Sequence, residues 1–315
     1  MGSKSIIFQE EITMPSSFMF RNRIINGNFD IWQRGVSFST SNTYSADRWH
    51  LTVSGTVTLT QETSDVPSGS TIAAKWTAGA GSSYAQLRQY IESDTVKKLR
   101  GKTVTASFLG KLSANFTGTL VFEIYYSTAS DTVAAFSGIA VPGVINVGTL
   151  SSSGYSQCTS TFTVPTNAVG LYIGVVPTST QASTAYALIA QVQLEPGSIA
   201  TPFEFRPYGT ELALCQRYGV KLGVLYGYVF TSTSIQGVIS HPPMRITPTA
   251  SMLTSTPYAE APISVTPFNA TAATVYVALS SEHGTSILRV GGFTGLGAST
   301  NALVSGGTIF LSAEL

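Results

Sequence analysis

The chain of 315 residues is long enough to bury two hydrophobic cores. Only 10% of its residues are charged, against about 25% in an average globular protein, and its formal net charge is +1. Binding to nucleic acid depends on clustered lysine and arginine, so this composition argues against a nucleic-acid partner. The densest basic run, at 97–102, is expected to be a solvated turn.

Insertion into a membrane is not expected either, because the sequence contains no run of 18 apolar residues. The first 18 residues lack the long apolar segment of a secretory signal. Cys158 and Cys215 are far apart and show no metal-ligand spacing. We expect two separate, partly buried thiols, and the sequence leaves open whether they form a disulfide.

After an N-terminal arm at 1–20, strand-like segments dominate residues 21–208. They are rich in Val, Thr, Tyr and Phe, and Gly, Pro, Ser or Asn separate them. Because no long segment has a helical period, the pattern predicts an all-β sandwich or barrel, with residues 93–101 as a turn. The predicted strands are 56–62, 103–112, 118–127, 158–165, 169–177 and 185–195.

The segment at 23–35, RIINGNFDIWQRG, is predicted to open the sandwich as a strand. Asn26-Gly27 can supply a turn with positive φ at its start. Phe29 and Ile31 are then expected to face the core, and the alternation of a strand places Trp32 on the opposite side. Trp32 and Arg34 become candidate ligand contacts at the edge.

Residues 196–210 contain three prolines and two glycines and are predicted to be a linker. Residues 211–219, ELALCQRYG, are predicted to form one short amphipathic helix. Strand-like segments resume at 220. Residues 209–315 hold only eight charged side chains, four of each sign, and are predicted to form a smaller C-terminal β domain.

The sequence does not indicate an enzyme. No serine-hydrolase motif is present, and His50, His241 and His283 have no zinc-binding spacing. A glycosidase needs two carboxylates roughly 5–10 Å apart, and no local spacing pairs any two acidic residues of this chain.

Residues 84–92, YAQLRQYIE, place Tyr84, Gln86, Arg88 and Tyr90 on one face of a strand. Aromatic rings with a polar tip suit the C–H faces and hydroxyls of a sugar. The same pattern is equally typical of an ordinary solvent-exposed face. The candidate ligand-binding residues are Trp32, Arg34, Tyr84, Gln86, Arg88 and Tyr90.

Several segments in consistent order resemble modules of bacteriophage tail fibre and related virion proteins, which are similar to the jelly-roll carbohydrate-binding modules of families 4 and 9. The resemblance covers roughly residues 22–219 and extends more weakly to the C-terminus. The segments are NGNFDIWQRG (26–35), YSADRWHL (44–51), LRQYIE (87–92), GKTVTASFLGK (101–111) and VQLEPGSIATPFEFRPYGTELALCQRYG (192–219).

This resemblance implies a jelly roll on a virion, made in the bacterial host cytoplasm and mounted as a tail or surface fibre, often as a homotrimer. It implies a non-catalytic receptor-binding protein for host surface polysaccharide, with residues 1–20 attached to other virion proteins and 209–315 as a tip or oligomerisation domain. The alternative is a purely structural virion component that binds no sugar. A polysaccharide depolymerase is the less favoured third interpretation.

Modules of this kind often hold a structural calcium, and the resemblance places Asp30 at a matching position. The family tends to have an acidic residue where this chain has Gln191 or Gln193. Calcium needs several hard oxygen ligands, so we predict no cofactor.

Overall fold

The computed structural model describes residues 20–81, 83–132, 136, 150–223, 225–253, 258–260, 268–269, 274–281, 284–294, 296, 301–305 and 308–315. Apart from Phe20, the predicted N-terminal arm lies outside the described residues. In the part of the chain that is described, no helix is long and apolar enough to span a bilayer.

The first part of the chain is built from short antiparallel strands separated by turns. The elements are β1 (Ser37–Phe38), β2 (Thr43–Tyr44), β3 (His50–Ser54), β4 (Val57–Glu62), β5 (Ala73–Ala78), β6 (Tyr84–Ile91), α1 (Ser93–Lys97), β7 (Thr103–Leu112), β8 (Leu120–Ser127), β9 (Ser156–Thr163), β10 (Gly170–Pro177) and β11 (Tyr186–Pro196).

These strands form two sheets, in the orders β1-β4-β5-β11-β7-β9 and β2-β3-β6-β10-β8. From β5 to β11 each successive strand joins the other sheet, which is the alternation of a jelly roll. The predicted all-β sandwich is therefore confirmed. All six strands predicted by range are present, and β7 has the predicted bounds of 103–112.

The core lies between the two sheets and is filled by the inward-facing residues of both. Trp49 and Trp76 are fully buried there, and Phe29 stacks on Trp49 with ring centroids 4.8 Å apart. Phe108 and Phe122 meet edge to face at 4.9 Å. The second pair connects β7 of one sheet to β8 of the other, which helps to fix how the sheets are packed.

The prediction of an opening strand at 23–35 is wrong, because this segment is a series of turns and the first strand begins at Ser37. Asn26 does have positive φ (+56°), as predicted. Gly27 is needed for space, since a Cβ there would lie 2.1 Å from the Val192 carbonyl oxygen. The turns still bury Phe29 and Ile31 in the core.

Ionic contacts hold the start of the sandwich against the chain that follows β11. The Arg21 guanidinium lies 3.0 Å from the Glu195 carboxylate, and the Glu204 carboxylate accepts hydrogen bonds from the backbone of Arg21 and Asn22. Arg206 pairs with Glu211 at 3.2 Å. The segment predicted to be a linker is thus tied to the sandwich by charged groups.

Two helices differ from the predictions in their bounds. Residues predicted to form a turn at 93–101 begin with α1, and α2 (Tyr208–Gln216) starts three residues before the predicted helix. Cys215 on α2 and Cys158 on β9 are both buried, and neither takes part in a disulfide. Burial raises the pKa of each thiol, that of Cys158 to about 11.

The C-terminal part is also antiparallel β-structure with its own apolar core. Its sheets have the orders β12-β21-β15 and β17-β16-β20-β13-β14-β19-β18. The strands are β12 (Gly219–Leu222), β13 (Leu225–Thr231), β14 (Ser234–Ser240), β15 (Thr249–Met252), β16 (Tyr258–Glu260), β17 (Phe268–Asn269), β18 (Thr274–Ser281), β19 (Thr285–Gly291), β20 (Ala302–Ser305) and β21 (Ile309–Ser312).

A buried group of charges joins this C-terminal part to the sandwich. Glu314 pairs with Arg48 and, at 3.0 Å, with Arg34, which also contacts Asp47 at 3.3 Å. The Arg48 guanidinium lies 3.5 Å from the centroid of the Tyr218 ring. Burial raises the pKa of Asp47 to about 6, and the nearby Arg34 opposes this shift.

Candidate functional site

The four side chains predicted to share a face of β6 do so. Tyr84, Gln86 and Arg88 are half-buried, and the intervening Ala85 and Leu87 are buried in the core. Burial alternates along the strand because one side packs inside the sandwich and the other side faces outward. Tyr84, Gln86, Arg88 and Tyr90 therefore lie on the outer surface of the five-stranded sheet.

The neighbouring strands extend this surface. On β3, His50 pairs with Arg88 and Thr52 with Gln86. On the other side, Gly174 of β10 pairs with Arg88 and also with Glu123 of β8, while Tyr172 pairs with Tyr90 and Tyr125. We call this set the outer face: His50, Thr52, Tyr84, Gln86, Arg88, Tyr90, Glu123, Tyr125, Tyr172 and Gly174.

Arg88 is held by neutral groups. Its Nη2 donates to the Thr52 hydroxyl at 2.6 Å and its Nε to His50 Nδ1 at 3.4 Å. Burial and the Arg88 charge lower the pKa of His50 to about 4, so the imidazole is neutral at pH 7 and can accept this bond. Among the described residues, no carboxylate lies within 4.0 Å of the Arg88 guanidinium.

Glu123 is the carboxylate of the outer face, and its partners are also neutral. It accepts hydrogen bonds from the Gln86 amide and, at 3.1 Å, from the Tyr125 hydroxyl. Burial, followed by the charge of the nearby Glu123, raises the pKa of the Tyr172 hydroxyl. Because the Gln86 amide reaches Glu123 across β10, the two side chains form a bridge over that strand.

The aromatic side chains of the outer face pack mainly against one another. Tyr125 stacks on Tyr172 at 4.8 Å, and Tyr90 meets Tyr172 edge to face at 5.8 Å. Phe136 lies 5.4 Å from both Tyr90 and Tyr172. Tyr90 is only 4% exposed, so it forms a wall of the site, whereas Tyr84 and Tyr125 keep accessible ring surface.

The structure does not bring Trp32 and Arg34 into this group. The Trp32 indole donates to the Phe29 carbonyl at 2.6 Å and its ring packs 6.0 Å from Phe38. Arg34 lies at the contact with the C-terminal part, with its guanidinium 4.2 Å from the centroid of the Phe310 ring and its charge paired with Asp47 and Glu314. Both residues are occupied by structural contacts.

Sequence reasoning missed six of the ten residues of the outer face, namely His50, Thr52, Glu123, Tyr125, Tyr172 and Gly174. Glu123 and Tyr125 do alternate within their strand, which was a usable signal. Nothing in the sequence places β3 and β10 beside β6, because these neighbours come from a jelly-roll connection between distant segments.

The residues implied by the resemblance to calcium-binding modules do not fit that ion. Asp30 accepts from the Asn28 amide at 3.1 Å, and Gln191 directs its amide NH₂ to the Ser68 carbonyl at 2.9 Å. Arg206 already neutralises the nearby Glu211. Throughout the described ranges, no group of three or more His, Cys, Asp and Glu side chains converges.

The chain matches no protein-family model and no curated protein. Similar solved structures include the enzymatically active domain of tailspike protein 4 from bacteriophage CBA120, at 19% identity and TM-score 0.38, covering 56% of this chain and 22% of that one. The CBM22-1 xylan-binding domain of Paenibacillus barcinonensis Xyn10C is 14% identical, with TM-score 0.35 and coverage of 52% and 95%.

A CBM4 structure is 22% identical, with TM-score 0.34 and coverage of 55% of this chain and 98% of that one. At such low TM-scores, the assignment of a β-sandwich rests on the sheet topology of this chain. The chemistry of the outer face has to be argued from its own residues.

Proposed function

We propose that this chain is a non-catalytic glycan-binding protein and that the outer face is its binding surface. The observation that carries the proposal is that Arg88 and Glu123 lie on the two strands that flank β10, in one row across the sheet, without a salt bridge between them. Each is held in place by neutral partners, so each can still bind the hydroxyl groups of a ligand. Tyr84 and Tyr125 offer the amphipathic surface on which a sugar ring packs.

The same surface supports binding rather than hydrolysis. Glycoside hydrolysis needs two carboxyl groups on either side of the scissile bond. Glu123 is the one carboxylate among the described strand residues of the outer face, and two neutral donors hold it.

We further propose that the glycan belongs to a bacterial surface and that the protein is a tail fibre or receptor-binding component of a phage virion. The sequence resemblance of residues 22–219 supports this role. Attachment through residues 1–20 and assembly as a homotrimer belong to the same proposal. Because one particle would carry several copies, sites that bind weakly one by one would together attach it strongly.

Binding to an array of bacterial surface glycans tests the proposal. Arg88→Ala removes a hydrogen-bond donor, Glu123→Gln replaces a charged acceptor with a neutral amide, and Tyr84→Ala removes an accessible ring. We expect each change to weaken binding at least tenfold, because a lost hydrogen bond to a charged group is worth about 1.5–3 kcal/mol.

Tyr208→Ala is the matched control, since Tyr208 is 63% exposed and lies on α2, away from the outer face. Undiminished binding in all three test variants would remove the proposed site. Absence of binding by the wild-type protein to any glycan would favour a purely structural virion component, and release of reducing ends would favour an enzyme.

A further inference from the structure

The Arg206 guanidinium is surrounded by oxygen atoms from the segments that precede β1 and follow β11. Its Nη1 donates to the Ile24 carbonyl at 3.2 Å and lies 3.2 Å from the Glu211 carboxylate. Its Nη2 donates to the Asn22 carbonyl and lies 3.5 Å from the Glu204 carboxylate. The N–H groups of these two nitrogens thus meet two carbonyls and two carboxylates. We call this arrangement the Arg206 site.

The two carboxylates of the Arg206 site also hold the backbone of the turns that open the sandwich. Glu204 accepts from the Asn22 N–H at 2.7 Å, and Glu211 accepts from the Asn26 N–H. The side chains of Arg206, Glu204 and Glu211 are only 6%, 13% and 11% exposed. Burial of two ionised carboxylates around one point is unfavourable without a positive charge between them. The guanidinium supplies that charge.

The oxygen groups of the Arg206 site are of the kind that bind calcium. Ca²⁺ takes carboxylates and backbone carbonyls as ligands in proteins. Asp30, which the resemblance to calcium-binding modules places at a matching position, lines one small cavity together with Glu204, Arg206 and Glu211. The guanidinium therefore lies beside the position at which the resemblance implies a metal ion.

We infer that Arg206 replaces a structural metal ion in this chain. It joins the opening turns to the segment after β11 through a cation that belongs to the chain itself, so this junction does not depend on calcium. A lysine is a poor substitute, because its ammonium is a compact point charge, whereas the planar guanidinium directs N–H groups to oxygens on two sides. Truncation of Arg206 leaves two carboxylates and two carbonyls around a vacated space, which Ca²⁺ can enter.

Thermal unfolding in EDTA and in millimolar CaCl₂, at matched ionic strength, tests the inference. We expect the wild-type midpoints in the two solutions to agree within about 1 °C, because no calcium binds. Arg206→Ala should unfold about 10 °C lower in EDTA, since two buried carboxylates lose their partner. Calcium that enters the vacated space should restore roughly half of this loss or more.

Two further variants keep the test decisive. Arg206→Lys retains a charge and covers the case in which Arg206→Ala does not fold. We expect its midpoint to lie below that of the wild type in EDTA and to gain nothing from calcium. The double variant Arg206→Ala, Glu204→Gln lacks one carboxylate ligand and should lose the calcium response.

Arg217→Ala is the matched control, because Arg217 is 44% exposed and pairs with Glu92 at 3.0 Å. Calcium should leave its midpoint unchanged. A wild type destabilised by EDTA, or a wild-type midpoint in either single variant of Arg206, would overturn the inference. So would a folded Arg206→Ala that gains nothing from calcium, or a gain that persists without the Glu204 carboxylate.

Discussion

At the scale of single residues, Asn26 organises the segment that the sequence analysis took for a strand. Its side-chain amide donates to the carbonyls of Ile31 at 2.8 Å and Asp47 at 3.0 Å, and its Oδ1 accepts from the Ile31 backbone at 3.0 Å. Its own carbonyl accepts from the Trp49 indole at 2.9 Å. One buried asparagine thus replaces the ladder that a strand would have supplied.

We expect Asn26→Ala to lower the free energy of unfolding by roughly 3 kcal/mol, because it leaves buried backbone groups without partners. Asn26→Gly loses the same bonds but tolerates positive φ, so it should be less destabilised than the alanine variant by about 1 kcal/mol. Urea unfolding measures both.

Asn42 provides the control, since it also has positive φ (+59°) but is exposed. Its alanine variant should show only the smaller backbone effect. Equal stability of Asn26→Ala and Asn26→Gly would contradict the role assigned to the left-handed backbone.

At the scale of elements, the row across β3, β6, β10 and β8 forms the candidate site. His50, Arg88, Gly174 and Glu123 stand side by side in this row because the strands pair in register. Protonation of His50 makes the stability of this row depend on pH. Its folded pKa of about 4 lies below the unfolded value of 6.5, so the unfolded chain binds the proton more readily between these values.

The stability that neutral His50 contributes is therefore complete above pH 6.5 and declines as the pH falls towards 4. We expect the difference in unfolding free energy between wild type and His50→Gln to shrink, or to change sign, between pH 7.5 and pH 5. Urea unfolding at both values measures it. The raised pKa of Asp47 makes its contribution to stability increase as the pH falls, which is opposite to the effect of His50. Because Asp47 is present in both proteins, this contribution cancels from the difference. A pH-independent difference would contradict the assigned pKa shift.

At the scale of the whole molecule, the last residues of the chain bind the two β-structured parts together. Arg48 and Glu314 are almost fully buried, and the Tyr44 hydroxyl donates to the Leu315 carbonyl at 2.9 Å. On the other side of the contact, Arg217 pairs with Glu92 at 3.0 Å. These contacts make joint unfolding of the two parts the expectation.

Glu314→Ala leaves the buried Arg48 and Arg34 without this carboxylate, and removal of one partner of a buried pair costs about 3–5 kcal/mol. We expect one calorimetric transition for wild type and two for the variant, since coupling between the parts is weakened. Asp94→Ala, which removes a highly exposed pair with Lys97, serves as the control and should leave the single transition unchanged. One unaltered transition in Glu314→Ala would show that apolar contacts are sufficient for coupling.

The sequence by itself determined the all-β class, the strands 103–112 and 185–195, the burial of Phe29 and Ile31, and the shared face of Tyr84, Gln86, Arg88 and Tyr90. These features are local, because alternation within a strand directly sets which side chains lie together. Burial of large aromatic residues follows from composition in the same way.

Only the tertiary structure decided that hydrogen bonds of Asn26 hold a series of turns together and that Arg34 is buried at the contact with Glu314. It also decided that Gly174 and then Glu123 follow Arg88 in one row across the sheet. Strand order and register depend on which distant segments pair when the sandwich closes, and jelly-roll connections place sequence neighbours in opposite sheets. Hydrogen bonds and ion pairs between such segments carry no periodic signal in the sequence. For that reason the strand that starts the candidate site could be read from the sequence, and the partners that complete it could not.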